Sequence, residues 1–377
     1  MSGKLGFGCM RLPLKDAADI TSIDIAALTR MTDIFLERGF DTFDAAATYH
    51  DGHCEQALRL ALVERYPRDK FRLADKLPTL LVEDAGQQEK IFSGQLRNCG
   101  VEYFDRYLVH CATAAFFEKA VRFDSFGFVE RKKREGLVRE TGFSFHDSPE
   151  LLDSILSSHP EVDFVQLQIN YVDWNHTPLR AQECYETARR HGKPVTVMCT
   201  LKGGMLADVP PEVESMFRAV RPDDDASVWA LRYAASLEGV TTVLSGMSSV
   251  AEMEKNTSAM QHFEPFTAHE YAVVERAAEM ICDLSPVQCT SCGYCVPTCP
   301  QNIAIPQYLH LYNRWVRTSE SGALDAEYKT LGQSRGKASD CISCGYCESL
   351  CPQKLHIVEW LGKTAGIFER DKCPACV

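Results

Sequence analysis

The sequence predicts an α/β protein: a (β/α)8 TIM barrel followed by a small, largely helical domain rich in cysteine. Three observations carry that reading. The first 285 residues alternate short β-like runs with longer amphipathic stretches, and there are eight such runs. Strands alternating with helices form parallel βα units, and eight units in about 280 residues favour a closed barrel over an open doubly wound sheet. No Gly-x-Gly-x-x-Gly follows the first run, which weighs against a Rossmann sheet. Cysteine is also unevenly spread, with seven of the 17 in residues 1–285 and ten in residues 286–377.

In order, the β-like runs are 5–9, 40–44, 72–75, 106–110, 141–145, 164–168, 195–199 and 242–245. Helical patterning fills 25–38, 55–65, 117–135, 149–158 and 178–191 between them. Asp147-Ser148-Pro149-Glu150 reads as a helix start, and Gly39 and Gly136 as helix stops. Residues 267–284 place Tyr271, Val274, Ala278 and Ile281 at helical spacing and close the first domain. Ser285-Pro286 then breaks the helix and cysteine density rises at once, so the boundary falls between 285 and 286. A further helical stretch, 305–330, separates two cysteine groups, and a short tail ends the second domain at 377.

Composition excludes several classes of function. At 45% hydrophobic and 24% charged residues, the chain carries more apolar material than a disordered protein. Forty basic against 52 acidic residues give a net charge of −12. Phosphate backbones and anionic lipid repel such a chain, so neither nucleic acid nor membrane is expected as a partner. No apolar run reaches the roughly 20 residues a membrane helix needs. The opening Met1-Ser2-Gly3-Lys4-Leu5 has no signal layout, so a cytoplasmic location is expected. Dense cysteine in such a chain points to metal or redox chemistry.

The cysteines are ordered as two identical runs. Cys289, Cys292, Cys295 and Cys299 precede Pro300, and Cys341, Cys344, Cys347 and Cys351 precede Pro352. Both read Cys-x2-Cys-x2-Cys-x3-Cys-Pro, which resembles the bacterial ferredoxin run for 4Fe–4S clusters. Zinc would use thiolates as two pairs, and disulfides belong to small exported chains. The resemblance implies two 4Fe–4S clusters in a ferredoxin-like domain, with crossed ligand sets. One set is Cys289, Cys292, Cys295 and Cys351; the other is Cys341, Cys344, Cys347 and Cys299. Cys373-x2-Cys376 reads equally as a redox pair, half of a metal site or a plain tail.

Chemistry in such a barrel sits at the C-terminal ends of the strands. Those ends carry Asp44, Tyr49 five residues on, Lys76, His110, Ser144 and Gln168, with Asn170-Tyr171 just beyond. Four ionisable residues at adjacent strand ends form a constellation rather than a set of caps. The surrounding segments resemble the aldo-keto reductase family. Asp44-Ala45-Ala46-Ala47-Thr48-Tyr49 with Gly52-His53-Cys54-Glu55 is similar to that family's DTAxxYxxGxSE signature. Ala74-Asp75-Lys76-Leu77-Pro78 resembles its catalytic-lysine segment, and Asp105-Arg106-Tyr107-Leu108-Val109-His110 its IDLYLIH strand. Gly142-Phe143-Ser144, Gln166 to Tyr171 and Ser245-Gly246-Met247-Ser248 follow in family order. With the cysteine runs, residues 5 to 360 resemble the branch carrying a C-terminal 4Fe–4S domain.

The resemblance implies an iron–sulfur oxidoreductase that interconverts a small-molecule carbonyl and alcohol with NAD(P)H. Tyr49 would relay the proton, Lys76 would lower its pKa, Asp44 would hold Lys76, and His110 would orient the carbonyl. Ser144 and Gln168 would meet the nicotinamide and Gly203 the pyrophosphate, with Asn170, Ser245 and Ser248 also binding the nucleotide. The sequence departs from the family at Met247 and Glu252, where NADPH-preferring members carry basic residues, so little preference for NADPH is expected. Cys199 stands where many members stack an aromatic side chain, and His146 follows the strand-five serine by two.

Cys9, Cys111 and Cys199 near the strand ends fit either packing or an extra site completed by Cys373 and Cys376. Phe116, Phe117, Phe123, Phe126 and Phe128 fit either core or an apolar pocket. The clusters are expected to pass electrons, with a ferredoxin or another redox protein as partner. Two other readings stay open: a flavin- or cluster-dependent enzyme without nicotinamide, and an electron-transfer module on a degenerate barrel.

Overall fold

Eight parallel strands close on themselves in the computed structural model, which describes residues 3–175, 178–318 and 322–369. They are β1 (Leu5–Gly8), β2 (Thr42–Asp44), β3 (Arg72–Leu77), β4 (Phe104–Ala112), β5 (Val138–Phe145), β6 (Phe164–Gln168), β7 (Val195–Met198) and β8 (Val240–Ser245). Neighbours pair in chain order, and β8 returns to β1 with Leu5 beside Val243. Side chains alternate between the barrel interior and the helical layer. Thus on β3 Lys76 reaches Asp44, while Asp75 turns to Cys99 on the helix Ala85–Cys99. Below the mouth, Arg106 spans the interior and donates to Thr196 and Thr242 hydroxyls at 3.2 Å. Phe7, Phe35 and Phe43 pack ring against ring between β1, β2 and the helix Ile25–Glu37.

Several predicted elements change at their ends. Strands 3, 4, 5 and 8 run longer than their apolar cores, because ladder pairing extends through polar residues such as Arg139 and Glu140. The single helix predicted over 117–135 is two, Ala114–Arg122 and Ser125–Arg134. Asp124 breaks it in the left-handed region (φ 53°), a conformation Asp tolerates. The break lets Phe126 stack on His159 and meet Phe143, and turns Phe128 onto Phe92, so these two phenylalanines are core. The helix predicted at 149 begins as read, with the Ser148 hydroxyl accepting from the Leu151 amide at 3.4 Å.

The described residues form two compact units. The first comprises 3–175, 180–200 and 227–267 and contains all eight strands. The second comprises 178–179, 201–226, 268–318 and 322–369. Residues 201–226 and 268–284 therefore group with the cysteine-rich part. Arg221 joins these two segments to each other, its Nε donating to the buried Glu270 carboxylate at 2.7 Å. Around the cysteines, Tyr308, Leu309, Leu311, Tyr328, Ile357 and Leu361 form one apolar cluster. The Asn313 side chain bonds both backbone groups of Val287 and so fixes where the first cysteine run begins. Where one helix was predicted over 305–330, two stand, Ile305–Thr318 and Gly322–Ser334, the second running past 330. Among the described residues, no helix is long and apolar enough to cross a membrane.

Candidate functional site

At the barrel mouth, Lys76 is the centre of the polar constellation. Its ammonium is 1% exposed and donates to Asp44 Oδ1 at 2.6 Å, the Ala45 carbonyl at 2.6 Å and the Tyr49 hydroxyl at 3.3 Å. The Tyr49 ring meets the His110 ring edge-on, 6.3 Å between centroids. All four predicted residues of the tetrad thus lie together. Tyr49 is positioned by a turn in which His50 and Asp51 both adopt positive φ. His50 fastens that turn: its Nε2 accepts from the Leu12 amide at 3.0 Å, which leaves Nδ1 to donate to the Ile20 carbonyl at 2.8 Å.

Burial dominates the electrostatics. It pushes the Tyr49 hydroxyl well above its ordinary value, with Asp44 adding to the effect and the nearby thiols Cys54, Cys199 and Cys9 contributing less. This is opposite to the lowering by Lys76 predicted from the resemblance. The physical reason is that Asp44, at 2.6 Å, already balances the ammonium, so desolvation of the phenolate prevails. Burial, Lys76 and His146 hold His110 well below its usual range. His146 is lowered to about 4 by burial, and its Nδ1 is buried without a hydrogen-bond partner among the described residues. Both imidazoles are therefore neutral at neutral pH.

In the second unit, the cysteines surround two cavities. The first is lined by Cys289, Cys292, Cys295 and Cys351, with Thr290, Gln353 and the apolar Ile305, Leu309 and Ile357. Cys299, Cys341, Cys344 and Cys347 line the second, with Ile303, Ile342, Val358 and Leu361. Each cavity brings together three thiols of one run and the fourth thiol of the other. Among the described residues, no three His, Cys, Asp or Glu side chains close around a single ion. Four thiols spread around an apolar cavity suit a polynuclear cluster better than one zinc. Burial pushes the Cys289 and Cys295 thiols up to about 12 and Cys347 up to about 11.

Comparison with known proteins decides the family. The aldo/keto reductase family model matches residues 4–279. The chain belongs to the aldo/keto reductase family. A 4Fe–4S dicluster domain matches residues 288–356, which places this reductase in the branch carrying a C-terminal iron–sulfur domain. An aldo-keto reductase from Bacillus halodurans (holo form) is 25% identical with a TM-score of 0.58, and the match covers 73% of this chain and 91% of that one. An aldo-keto reductase from Klebsiella pneumoniae in complex with NADPH is 20% identical with a TM-score of 0.57, over 73% and 90% of the two chains. No curated protein matches the chain.

The residues of this aldo-keto reductase expected to meet a nucleotide are tied into the chain itself. Asn170 is fully buried; its amide donates to Asp173 Oδ2 at 2.7 Å and to the Cys199 carbonyl at 3.2 Å. Gln168 donates to the same Asp173 carboxylate at 3.3 Å. Ser144 is buried at the end of β5, and the Ser245 hydroxyl accepts from Asn256 at 3.2 Å. The Ser248 amide donates to Glu252 Oε2 at 2.7 Å and its hydroxyl at 3.1 Å. That carboxylate sits in the first turn of the helix Val250–Gln261, where helix dipole and free amides favour an anion. Gly203 lies in the second unit with φ 71°, its backbone against Thr290.

Sequence reasoning passed over several residues of the site. His50 and Asp173 were given no role, although both stand close to the recognised motifs, and His146 was noted only as following Ser144 by two. Cys9, Cys54 and Cys199 lie near enough to Tyr49 to act on its hydroxyl. The Cys111 side chain and Cys373 and Cys376 lie outside what the structure describes.

Proposed function

We propose that this reductase interconverts a small-molecule carbonyl and the corresponding alcohol, with Tyr49 as proton donor and acceptor. The observation that supports this most is the Lys76 ammonium fixed by Asp44, the Ala45 carbonyl and the Tyr49 hydroxyl. A reduced nicotinamide, when bound, supplies the hydride. As charge develops on the carbonyl oxygen, Tyr49 gives up its proton to it, and Lys76 stabilises the phenolate left behind. The burial that raises the Tyr49 pKa keeps the phenol loaded until that charge appears. Neutral His110 offers a hydrogen bond to the same oxygen and orients the substrate. Alcohol oxidation reverses each step.

Ser144, Gln168, Asn170, Ser245 and Ser248, all in the first unit, are the residues we assign to the nucleotide. Glu252 opposes a 2′-phosphate, so NAD(H) suits the site better than NADP(H), although one solved neighbour holds NADPH. The two cysteine cavities are assigned to two 4Fe–4S clusters, which when bound supply one-electron transfer to a ferredoxin or a similar partner. A second reading replaces nicotinamide by a flavin fed from the clusters. The internal engagement of Asn170 and Gln168 by Asp173 is what favours it.

Replacing Tyr49 by Phe tests the first reading. Carbonyl turnover is expected to fall on the order of 10²-fold or more, with iron content and circular dichroism unchanged. Full activity in Tyr49→Phe overturns the mechanism.

A further inference from the structure

The two cysteine cavities are unequal in one respect that the ferredoxin-like run does not explain. Neither lining contains a basic side chain, and the second holds the exposed Cys344 beside Ile342, itself 60% exposed. The first is lined by the buried Gln353 and Thr290 and also by Tyr294, 38% exposed. Lys202 stands behind that lining and is the only buried lysine or arginine of the second unit among the described residues. Its ammonium donates to Gln353 Oε1 at 3.3 Å, one side chain behind the cavity.

The backbone makes this placement specific. Lys202 and Gly203 take consecutive left-handed conformations, φ 46° and 71°. A Cβ on Gly203 would stand 2.1 Å from the Thr290 carbonyl oxygen, so only glycine lets this turn rest on the first cysteine run. A strained turn with a buried lysine persists only where surrounding structure fixes it.

We propose that Lys202 is a positioning residue for the first cluster, raising the reduction potential of the cluster held by Cys289, Cys292, Cys295 and Cys351 relative to the other. The inference rests on the reading that both cavities hold 4Fe–4S clusters. Taking up one electron makes a thiolate-bound cluster more negative, and a nearby buried cation favours the more negative state. Among the described residues no second buried basic side chain is present in this unit, so the other cluster is the less easily reduced of the two. Electrons arriving at the exposed Cys344 side therefore settle on the first cluster. The turn at Lys202 and Gly203 thus serves the iron–sulfur domain.

The test is a redox titration of the anaerobic holoprotein followed by electron paramagnetic resonance. Cys292→Ser marks which signal belongs to the first cluster. In Lys202→Met and in Lys202→Gln, that signal is expected to shift to lower potential by about 59 mV, a tenfold change in the oxidised-to-reduced ratio. The other signal stays in place, and Lys202→Arg restores the first. Unchanged potentials, equal shifts in both signals, or an arginine variant that behaves like the methionine one would each overturn the proposal. Iron and sulfide measured on the same samples separate the two failures. Wild-type protein without iron overturns the cluster reading itself, whereas iron-loaded protein with unmoved potentials overturns only the role of Lys202.

Discussion

Tyr49 and His110 are controlled by the same force in opposite directions. Burial disfavours the charged form of each, so the phenol stays protonated and the imidazole stays neutral. A base with a lowered pKa is neutral above that lowered value, and an acid with a raised pKa is protonated below its raised value. The kcat/KM for carbonyl reduction is therefore expected to be flat from about pH 6 to 8. An inflection near 6.5 that disappears in His110→Gln would contradict this. Glu252 carries a second prediction at this scale. Glu252→Gln keeps an acceptor for the Ser248 amide and removes the charge, so NADPH affinity is expected to rise several-fold with NADH affinity little changed. Titration of both nucleotides reads the result, and an unchanged ratio counts against the assignment of this helix end to the nucleotide.

Among elements, β3 shows how one strand serves both site and packing. Lys76 faces the mouth, while Asp75 on the opposite face is fully buried beside Glu55 and Cys99. Burial and the Glu55 carboxyl raise the Asp75 pKa well above the ordinary range, so its protonated form is favoured. The folded state then binds that proton more tightly than the unfolded chain. Stability contributed by it is present below the unfolded value of about 3.9 and is lost as pH rises through the folded value. Asp75→Asn removes this loss and is expected to melt higher than wild type at about pH 8, by about 1.4 kcal/mol for each tenfold difference in proton affinity. The gain shrinks toward about pH 4. Anaerobic thermal melts at both pH values check it, and a lower melting point at each would refute the packing account.

The barrel and the tetrad were legible in sequence because strand-end residues stand inside short motifs, as Asp44 and Tyr49 do. Other features were not. The break at Asp124 requires a positive φ that no glycine announced. The direction of the Tyr49 pKa depends on burial and on how closely Asp44 balances Lys76. The partnership of Lys202 with Gln353 joins residues far apart in the chain through a turn that patterning cannot resolve. Contacts, not chain order, decide that 201–226 packs with the cysteine-rich part.

For the whole molecule, the proposed function couples two-electron chemistry at Tyr49 to one-electron centres in the C-terminal part. Anaerobic protein is expected to carry about eight iron and about eight sulfide per chain. A nicotinamide transfers a pair of electrons and each cluster only one, so a carrier able to split the pair is needed between them. The direct measurement is product formation from a carbonyl substrate with a reduced low-potential dye as sole donor. The account predicts turnover in wild-type protein, and its loss in Cys292→Ser and in Cys344→Ser while the barrel stays folded by circular dichroism. If no donor ever reduces substrate through the clusters, and nicotinamide-linked activity survives both substitutions, the clusters are structural and the proposed circuit is wrong.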